Sequence, residues 1–278
     1  MIANLDGDLI AFRCAASVGD LGEEEIAILR TDKLMRDLLY NTDSESYRCF
    51  ISGRGNFRKI LNPDYKANRK DKPPPKWLQA CREYLTKEWN AILCTGREAD
   101  DDLGINQQED SICVSLDKDL RMIPGWHFNW LQNEKSYVTP LGGIQHFYKQ
   151  MLIGDKTDNI FGVTGIGPVK ASKLIEPLET EQEMLDIVLG LYDNDCKRFL
   201  MNANCLWIMQ KENEVWQQRV DLSILPDQLK QELEMTVDSM RSLMEGISMG
   251  LGMKSPTTCG ILNNGELMVE SPPILEMT

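Results

Sequence analysis

Hydrophobic and polar positions along the first 120 or so residues alternate between two periods, which predicts strands and helices in turn. Residues 1–12 form a short apolar run interrupted by Asp6-Gly7-Asp8, a strand whose carboxylates sit where a buried strand leaves its sheet. Over residues 21–40, Ile26, Leu29, Leu34 and Leu38 recur at helical spacing among acidic positions, and Tyr47-Arg48-Cys49-Phe50-Ile51 follows as a second strand. Pro73-Pro74-Pro75 stops both kinds of element, and residues 77–89 then read as an amphipathic helix. A strand over 91–94, a helix over 99–107 and a strand over 112–116 complete the rhythm. Such alternation predicts an α/β fold, a parallel sheet with helices on both faces, with its ligand site beyond the carboxyl ends of the strands. After Pro140 the pattern turns helical, broken by Gly162, Gly165 and Gly167, and runs through the aromatic stretch around Trp207 and Trp216. Beyond about residue 244, Gly, Met, Ser and Pro prevail with weak periodicity, which reads as a loosely attached tail.

Composition narrows the function. The 278 residues carry 43 acidic against 30 basic side chains, a formal charge of −13, so any nucleic-acid site must be local rather than a general cationic coat. Eight cysteines without a Cys-x-x-Cys pair, and only two histidines, His127 and His146, give no zinc-finger pattern and suit buried thiols of a reducing compartment. No apolar run approaches the roughly 18 residues of a membrane span, and Asp6 and Asp8 stand where a signal peptide needs basic and then apolar residues. A soluble, intracellular protein is expected.

The charges are segregated along the chain. Residues 48–76 hold nine basic against two acidic side chains, whereas residues 98–119 hold eight carboxylates against Lys118 alone. Glu98 and Asp101 share a face at a helix start, Asp117 and Asp119 point the same way at a strand end, and Asp155 and Asp158 are again three apart. One such pair is most often a helix cap or a solvated face, but several together point to a centre for hard divalent ions such as Mg²⁺, which prefer carboxylate and water oxygens. Two ions side by side would offset the repulsion and activate water against a phosphodiester. Asp102 reads as solvated, Glu109 and Asp110 as a surface turn, and His127 and His146 as core or edge histidines. In the cationic segment, Phe57-Arg58-Lys59 and Tyr65-Lys66-Ala67-Asn68-Arg69-Lys70 interleave aromatics with cations, a combination suited to phosphate contacts and base stacking. The run from Gly162 through Gly165 and Gly167 reads as a glycine hairpin opening a helix, whose amides can hold a DNA phosphate flanked by Lys170 and Lys173.

Taken together, these segments resemble the phage 5′→3′ exonucleases of the flap endonuclease superfamily, podovirus-type members above all, and the related 5′-nuclease domain attached to bacterial DNA polymerase I. The resemblance runs through Leu5-Asp-Gly-Asp-Leu, Asn56-Phe-Arg-Lys, Tyr65-Lys-Ala-Asn-Arg, Glu98-Ala-Asp-Asp, Ser115-Leu-Asp-Lys-Asp-Leu, Gly154-Asp-Lys-Thr-Asp-Asn and Gly162-Val-Thr-Gly-Ile-Gly-Pro, over roughly residues 1–175. It implies a PIN-like catalytic domain over 1–145 with a helical arch at about 54–85, a helix-three-turn-helix DNA-binding region over 146–220, and a C-terminal helical segment and tail over 221–278. It also implies that Asp6, Glu98, Asp100 and Asp101 serve a first Mg²⁺ and Asp117, Asp119, Asp155 and Asp158 a second, with Mn²⁺ able to substitute. Lys66 matches the arch lysine aimed at the scissile phosphate, Arg13 a basic residue of the first helix, and Arg69 an added phosphate contact. The expected DNA-binding residues are Arg58, Tyr65, Gly162, Gly165, Gly167, Lys170 and Lys173, with a K⁺ ion on hairpin carbonyls.

The implied activity is Mg²⁺-dependent hydrolysis of DNA from 5′ ends or at 5′ flaps, with removal of RNA from hybrids. The implied setting is phage replication or recombination in a bacterial cytoplasm, by a monomer alongside replication proteins. One departure stands out. Relatives carry an aspartate at the end of the second strand, where this chain has Ser52, and a hydroxyl ligates Mg²⁺ weakly. Asp8, two residues from Asp6, is a candidate to compensate, and the alternative function is a catalytically weakened protein that binds flaps or nicks.

Overall fold

The computed structural model describes residues 1–69, 73–212, 214–220, 225, 227, 230–231, 260–263 and 266–269. β1 (Ile2–Asp6) lies mid-sheet and leads into α1 (Gly7–Val18) without a loop. After α2 (Glu24–Thr42), β2 (Ser46–Ser52) pairs with β1 in parallel. The segment expected to form an arch contains α3 (Phe57–Leu61), a single turn at Ala67–Arg69 and, beyond the prolines, α4 (Leu78–Glu88). β3 (Ile92–Cys94) pairs in parallel with the end of β2, and α5 (Ala99–Ile105) leads to β4 (Ser111–Val114), the other parallel neighbour of β1. β5 (Gly125–Asn129) continues the sheet in parallel, and β6 (Glu134–Val138) closes it as an antiparallel edge. The remainder is helical: α6 (Pro140–Ile153), α7 (Pro168–Ile175), α8 (Glu181–Leu191), α9 (Cys196–Leu206) and α10 (Trp216–Arg219), with a two-strand ladder of β7 (Gly154–Asp155) and β8 (Ile160–Phe161) after α6. Within the segment read as a tail, β9 (Gly260–Asn263) and β10 (Glu266–Val269) form a hairpin that meets β2 antiparallel.

Strand alternation divides the core in two. Ala3 and Leu5, Tyr47, Cys49 and Ile51, and Ile112 and Val114 face a cluster shared with Ile10, Met35, Leu38 and Leu85 of α1, α2 and α4. Phe50 and Cys113 face the opposite cluster, which includes Leu103, Phe147, Tyr148, Phe199, Trp207 and Trp216. The described helices after β6 therefore pack on the sheet itself, and one continuous core runs from Phe50 to Trp216. Seven cysteines among the described residues are buried and outside any disulfide. No described helix is long and apolar enough to cross a membrane.

Two local differences from the pattern have physical causes. The opening strand stops at Asp6 instead of running on, because Asp6 caps α1, its Oδ1 accepting the Leu9 N–H at 2.9 Å. Gly7 permits this entry, since a Cβ there would meet the Phe50 carbonyl oxygen at 2.7 Å. Asp8 consequently sits in the first helical turn and not on an extended segment beside Asp6. The β5–β6 hairpin escaped the sequence pattern because aromatic side chains lie on both its faces: Phe128 is in the core, whereas Trp126 and Tyr137 are 40% and 56% exposed and pack edge to face at 5.3 Å.

Candidate metal centre

Asp6 ends β1, Glu98 and Asp100 stand at the start of α5, Asp117 and Asp119 follow β4, and Asp155 and Asp158 lie on β7 and the turn after it. All seven line one open cleft of 460 Å³, together with Asp8, Ser52, Lys66, Arg69, Arg82 and Lys118. Eight acidic side chains thus face four basic ones in the same space. Parallel strands with helices behind them place these residues at the carboxyl ends of the sheet, where the alternating pattern locates a ligand site.

Protein donors hold most of the carboxylates. Asp6 Oδ2 accepts the Ser115 hydroxyl at 2.7 Å, and Asp119 Oδ1 accepts the Gln150 amide at 2.6 Å. Asp155 Oδ1 accepts the Thr157 N–H at 2.6 Å. The Tyr65 hydroxyl lies 2.8 Å from both Glu98 Oε2 and Asp158 Oδ2. A phenol carries one proton, so the hydroxyl is shared between the two carboxylates, which Lys66 and Arg69 also bind. Burial pushes Asp158 up against the nearby Lys66 and Arg69 charges, whereas for Glu98 the charges of Lys66 and Arg58 outweigh burial and hold it below the usual carboxylate range. Lys66, in the left-handed region at φ 57°, pairs with Glu98 and lies 3.6 Å from Asp158, while Arg69 pairs with Asp158.

The crowding shows in the remaining acids. Burial, then the nearby Asp8 and Asp117 charges, push Asp6 up to about 7 against the donors Ser115 and Leu9. Burial and the neighbouring Asp6, Asp117 and Glu98 charges also raise Asp100. Asp119 is pushed up to about 8 by burial and by Asp117 and Asp155, and the hydrogen bond between the two carboxyl groups lowers Asp155.

Several expected residues stand elsewhere. Asp101 does not reach the cleft: it is fully buried, and both its oxygens accept from Arg58 at 2.6 and 2.7 Å. Arg58 is accordingly no DNA contact, being 2% exposed and donating also to the Cys205 and Trp207 carbonyls. Tyr65, 3% exposed, cannot stack on a base and instead anchors two carboxylates. Asp102 is not solvated; it is 2% exposed and forms a two-pronged pair with Arg97, which also reaches Glu212. Arg13 is exposed on α1 and does not line the cleft. Lys170 and Lys173 are exposed on α7, beyond the turn in which Gly165 takes φ 78°. His127 is the satisfied edge histidine expected, its ring nitrogen 2.8 Å from the Ile123 carbonyl. His146 is half-buried, with Nε2 lacking a partner and burial holding the ring at about 4. Arg82 is the cleft residue that pattern reading missed. It lies on α4 in no motif, and binds Asp8 and the Ser52 carbonyl.

Among the described residues, no group of three or more His, Cys, Asp or Glu side chains is set to hold a metal ion as it stands. The reason is local, since Tyr65, Lys66, Arg69, Ser115 and Gln150 occupy the oxygens. The donor set nonetheless fits a hard divalent cation. Every acid in the cleft offers oxygen, and the raised Asp6, Asp100 and Asp119 are the groups that an added positive charge would relieve.

Comparison with known proteins bears on the same site. A flap endonuclease Xni of Shewanella baltica is 33% identical over 159 residues, and that of Shewanella putrefaciens 32%, the match covering 51% of this chain and 61% of each relative. Over the matched stretch the chain is similar in sequence to these flap endonucleases. Its fold agrees: the bacteriophage T5 protein crystallised with metal ions superposes with a TM-score of 0.59 at 16% identity, over 75% of this chain and 89% of the other. The T5 flap endonuclease in complex with DNA and metal ions superposes at 0.52, with 17% identity over 74% and 89%. No family model matches the chain. Because the matched stretch spans less than two thirds of the Shewanella enzymes, similarity by itself does not transfer their whole activity.

Proposed function

We propose that this chain is a divalent-metal-dependent 5′-nuclease that hydrolyses DNA phosphodiesters 5′→3′ from ends and at 5′ flaps. One observation carries the reading: seven carboxylates from four separate stretches of chain share a single cleft with Lys66 and Arg69. Asp6, Glu98 and Asp100 are the residues for one Mg²⁺, and Asp117, Asp119, Asp155 and Asp158 for a second, with Mn²⁺ as a substitute. Bound there, the ions would activate a water and neutralise the leaving oxygen.

The chain's own groups do the positioning. Lys66 and Arg69 now pair with Glu98 and Asp158, and an entering phosphate would offer those cations its own oxygens while freeing the carboxylates. Tyr65 keeps Glu98 and Asp158 aligned from behind. At the start of α7, free amides with Lys170 and Lys173 nearby suit a duplex phosphate. Removal of RNA from hybrids, and a place in phage replication or recombination, extend the proposal along the same family resemblance.

The test is time-resolved cleavage of a 5′-labelled duplex and a 5′-flap substrate with Mg²⁺, with EDTA, and with Asp117→Asn. Metal-dependent products that disappear in the variant are expected, mononucleotides marking exonuclease action and longer fragments flap cutting. Tight flap binding without any cleavage would overturn the enzyme reading and leave a binding protein.

A further inference from the structure

The K⁺ ion expected at the glycine hairpin does not fit the residues around it. Arg198 of α9 donates through Nη2 to the Gly162 carbonyl and, at 3.4 Å, to that of Phe161. Asn202, one turn further along the same helix, donates to the Phe161 carbonyl at 2.9 Å. The Val163 carbonyl accepts the Ile166 N–H at 3.2 Å, and the Gly167 carbonyl accepts that of Ala171 at 3.0 Å. Four carbonyls of the hairpin are thus occupied by protein donors, one of them carrying a full positive charge. A monovalent ion sharing the Gly162 oxygen would lie against the guanidinium, and like charges at such a separation repel.

Arg198 is held where it is from two sides. Its own N–H donates to the Asp195 carboxylate at 3.1 Å at the start of α9, and its guanidinium lies 4.9 Å from the centre of the Tyr192 ring. Tyr192 is itself fixed, donating to the Met151 carbonyl at 2.7 Å and accepting from Asn202 at 2.9 Å. Among the described residues the hydrogen bonds of the guanidinium run to backbone carbonyls and not to a carboxylate, so its charge stays at the hairpin.

We propose that Arg198 is the built-in cation of this hairpin, taking the place of a bound K⁺ and holding the turn before α7 in shape for a duplex phosphate without any monovalent ion. The DNA part of this rests on the nuclease reading above, whereas the cation part does not.

Two readouts separate them: melting temperature without DNA, and affinity for a blunt duplex in EDTA, each in potassium chloride and in choline chloride at equal ionic strength. Wild-type protein should melt, and bind, equally in both salts. Arg198→Gln should melt lower and bind roughly tenfold more weakly in choline, and regain part of each loss in potassium, because the vacated carbonyls then accept the ion. A wild-type protein that weakens or melts earlier in choline overturns the proposal. So does an Arg198→Gln variant that matches wild type in both salts, or one that loses equally in both, which would make Arg198 a packing residue. Melting behaviour as expected with no duplex binding by any variant would support the cation assignment and overturn only the DNA reading.

Discussion

Arg58 and Asp101, 43 positions apart, meet as a two-pronged ion pair at 2.6 and 2.7 Å with both side chains sealed from solvent. The pair ties α3 to the start of α5, and Asp101 Oδ1 also accepts the Met209 N–H at 3.1 Å. It fastens the segment leading to Lys66 to the start of α5, and Arg58 Nη1 lies 3.9 Å from Glu98 Oε2 at the edge of the cleft.

Removing one partner would leave the other buried and unpaired. Arg58→Met and Asp101→Asn should each lower unfolding stability by about 3–5 kcal/mol in urea denaturation. The folded fraction should still bind duplex DNA with unchanged affinity. A selective loss of affinity at full stability would return Arg58 to the DNA surface.

Lys66 has the opposite signature. Its charge stands beside Glu98 and Asp158, where negative charge would build on a reacting phosphate, so Lys66→Ala should slow single-turnover cleavage about a hundredfold. Affinity for the flap substrate, measured in EDTA, should change far less. An effect on binding alone would contradict the role.

Asp6, pushed up to about 7, and Asp119, pushed up to about 8, by burial and neighbouring carboxylates, hold protons more tightly folded than unfolded. Their contribution to stability is fully present below the unfolded value near 4 and is lost as pH rises through 7 and 8. Metal-free protein should therefore melt at a lower temperature at about pH 9 than at about pH 5.5, and a divalent cation should raise the melting point most at the alkaline end, where it replaces the lost protons. Melting points in EDTA and in Mg²⁺ across that range check this; a flat metal-free profile would count against the crowded cleft.

At the end of β2, where the sequence resemblance implies an aspartate, Ser52 does structural work. Its hydroxyl accepts the Ala99 N–H at 2.9 Å, and its own N–H donates to Asp8 Oδ2 at 2.8 Å. Ser52→Ala should cost about 1 kcal/mol from the loss of the bond at the start of α5. Ser52→Asp should tighten Mg²⁺ binding several-fold in calorimetric titration, because the new carboxylate joins the cleft beside a helix N-terminus. No change in Mg²⁺ affinity would place position 52 outside the metal centre.

Much of the site was legible because its residues cluster in short segments at element ends. Asp6 ends an apolar strand, Asp117 and Asp119 follow another, and local charge density marks both the acidic and the basic stretch. Spacing failed where neighbours on one helix had to be told apart. Asp100 lines the cleft while Asp101 and Asp102 turn inward to Arg58 and Arg97, because successive helical residues point about 100° apart and only the docking of α5 decides which faces out. The same limit hid Arg82, whose partners Asp8 and Ser52 come from other elements.

The sequence by itself determined the alternating strands and helices, the central sheet and the set of acids, since these follow from periodicity and from where carboxylates fall along it. Tertiary structure alone decided which charges are spent on one another. Arg58 and Tyr65 read as DNA contacts by composition, yet they became the buried supports of Asp101, Glu98 and Asp158, and Arg198 came to rest on the hairpin carbonyls. An ion pair or hydrogen bond between distant segments depends on separations that the chain acquires only when its core has closed, and no local pattern encodes them.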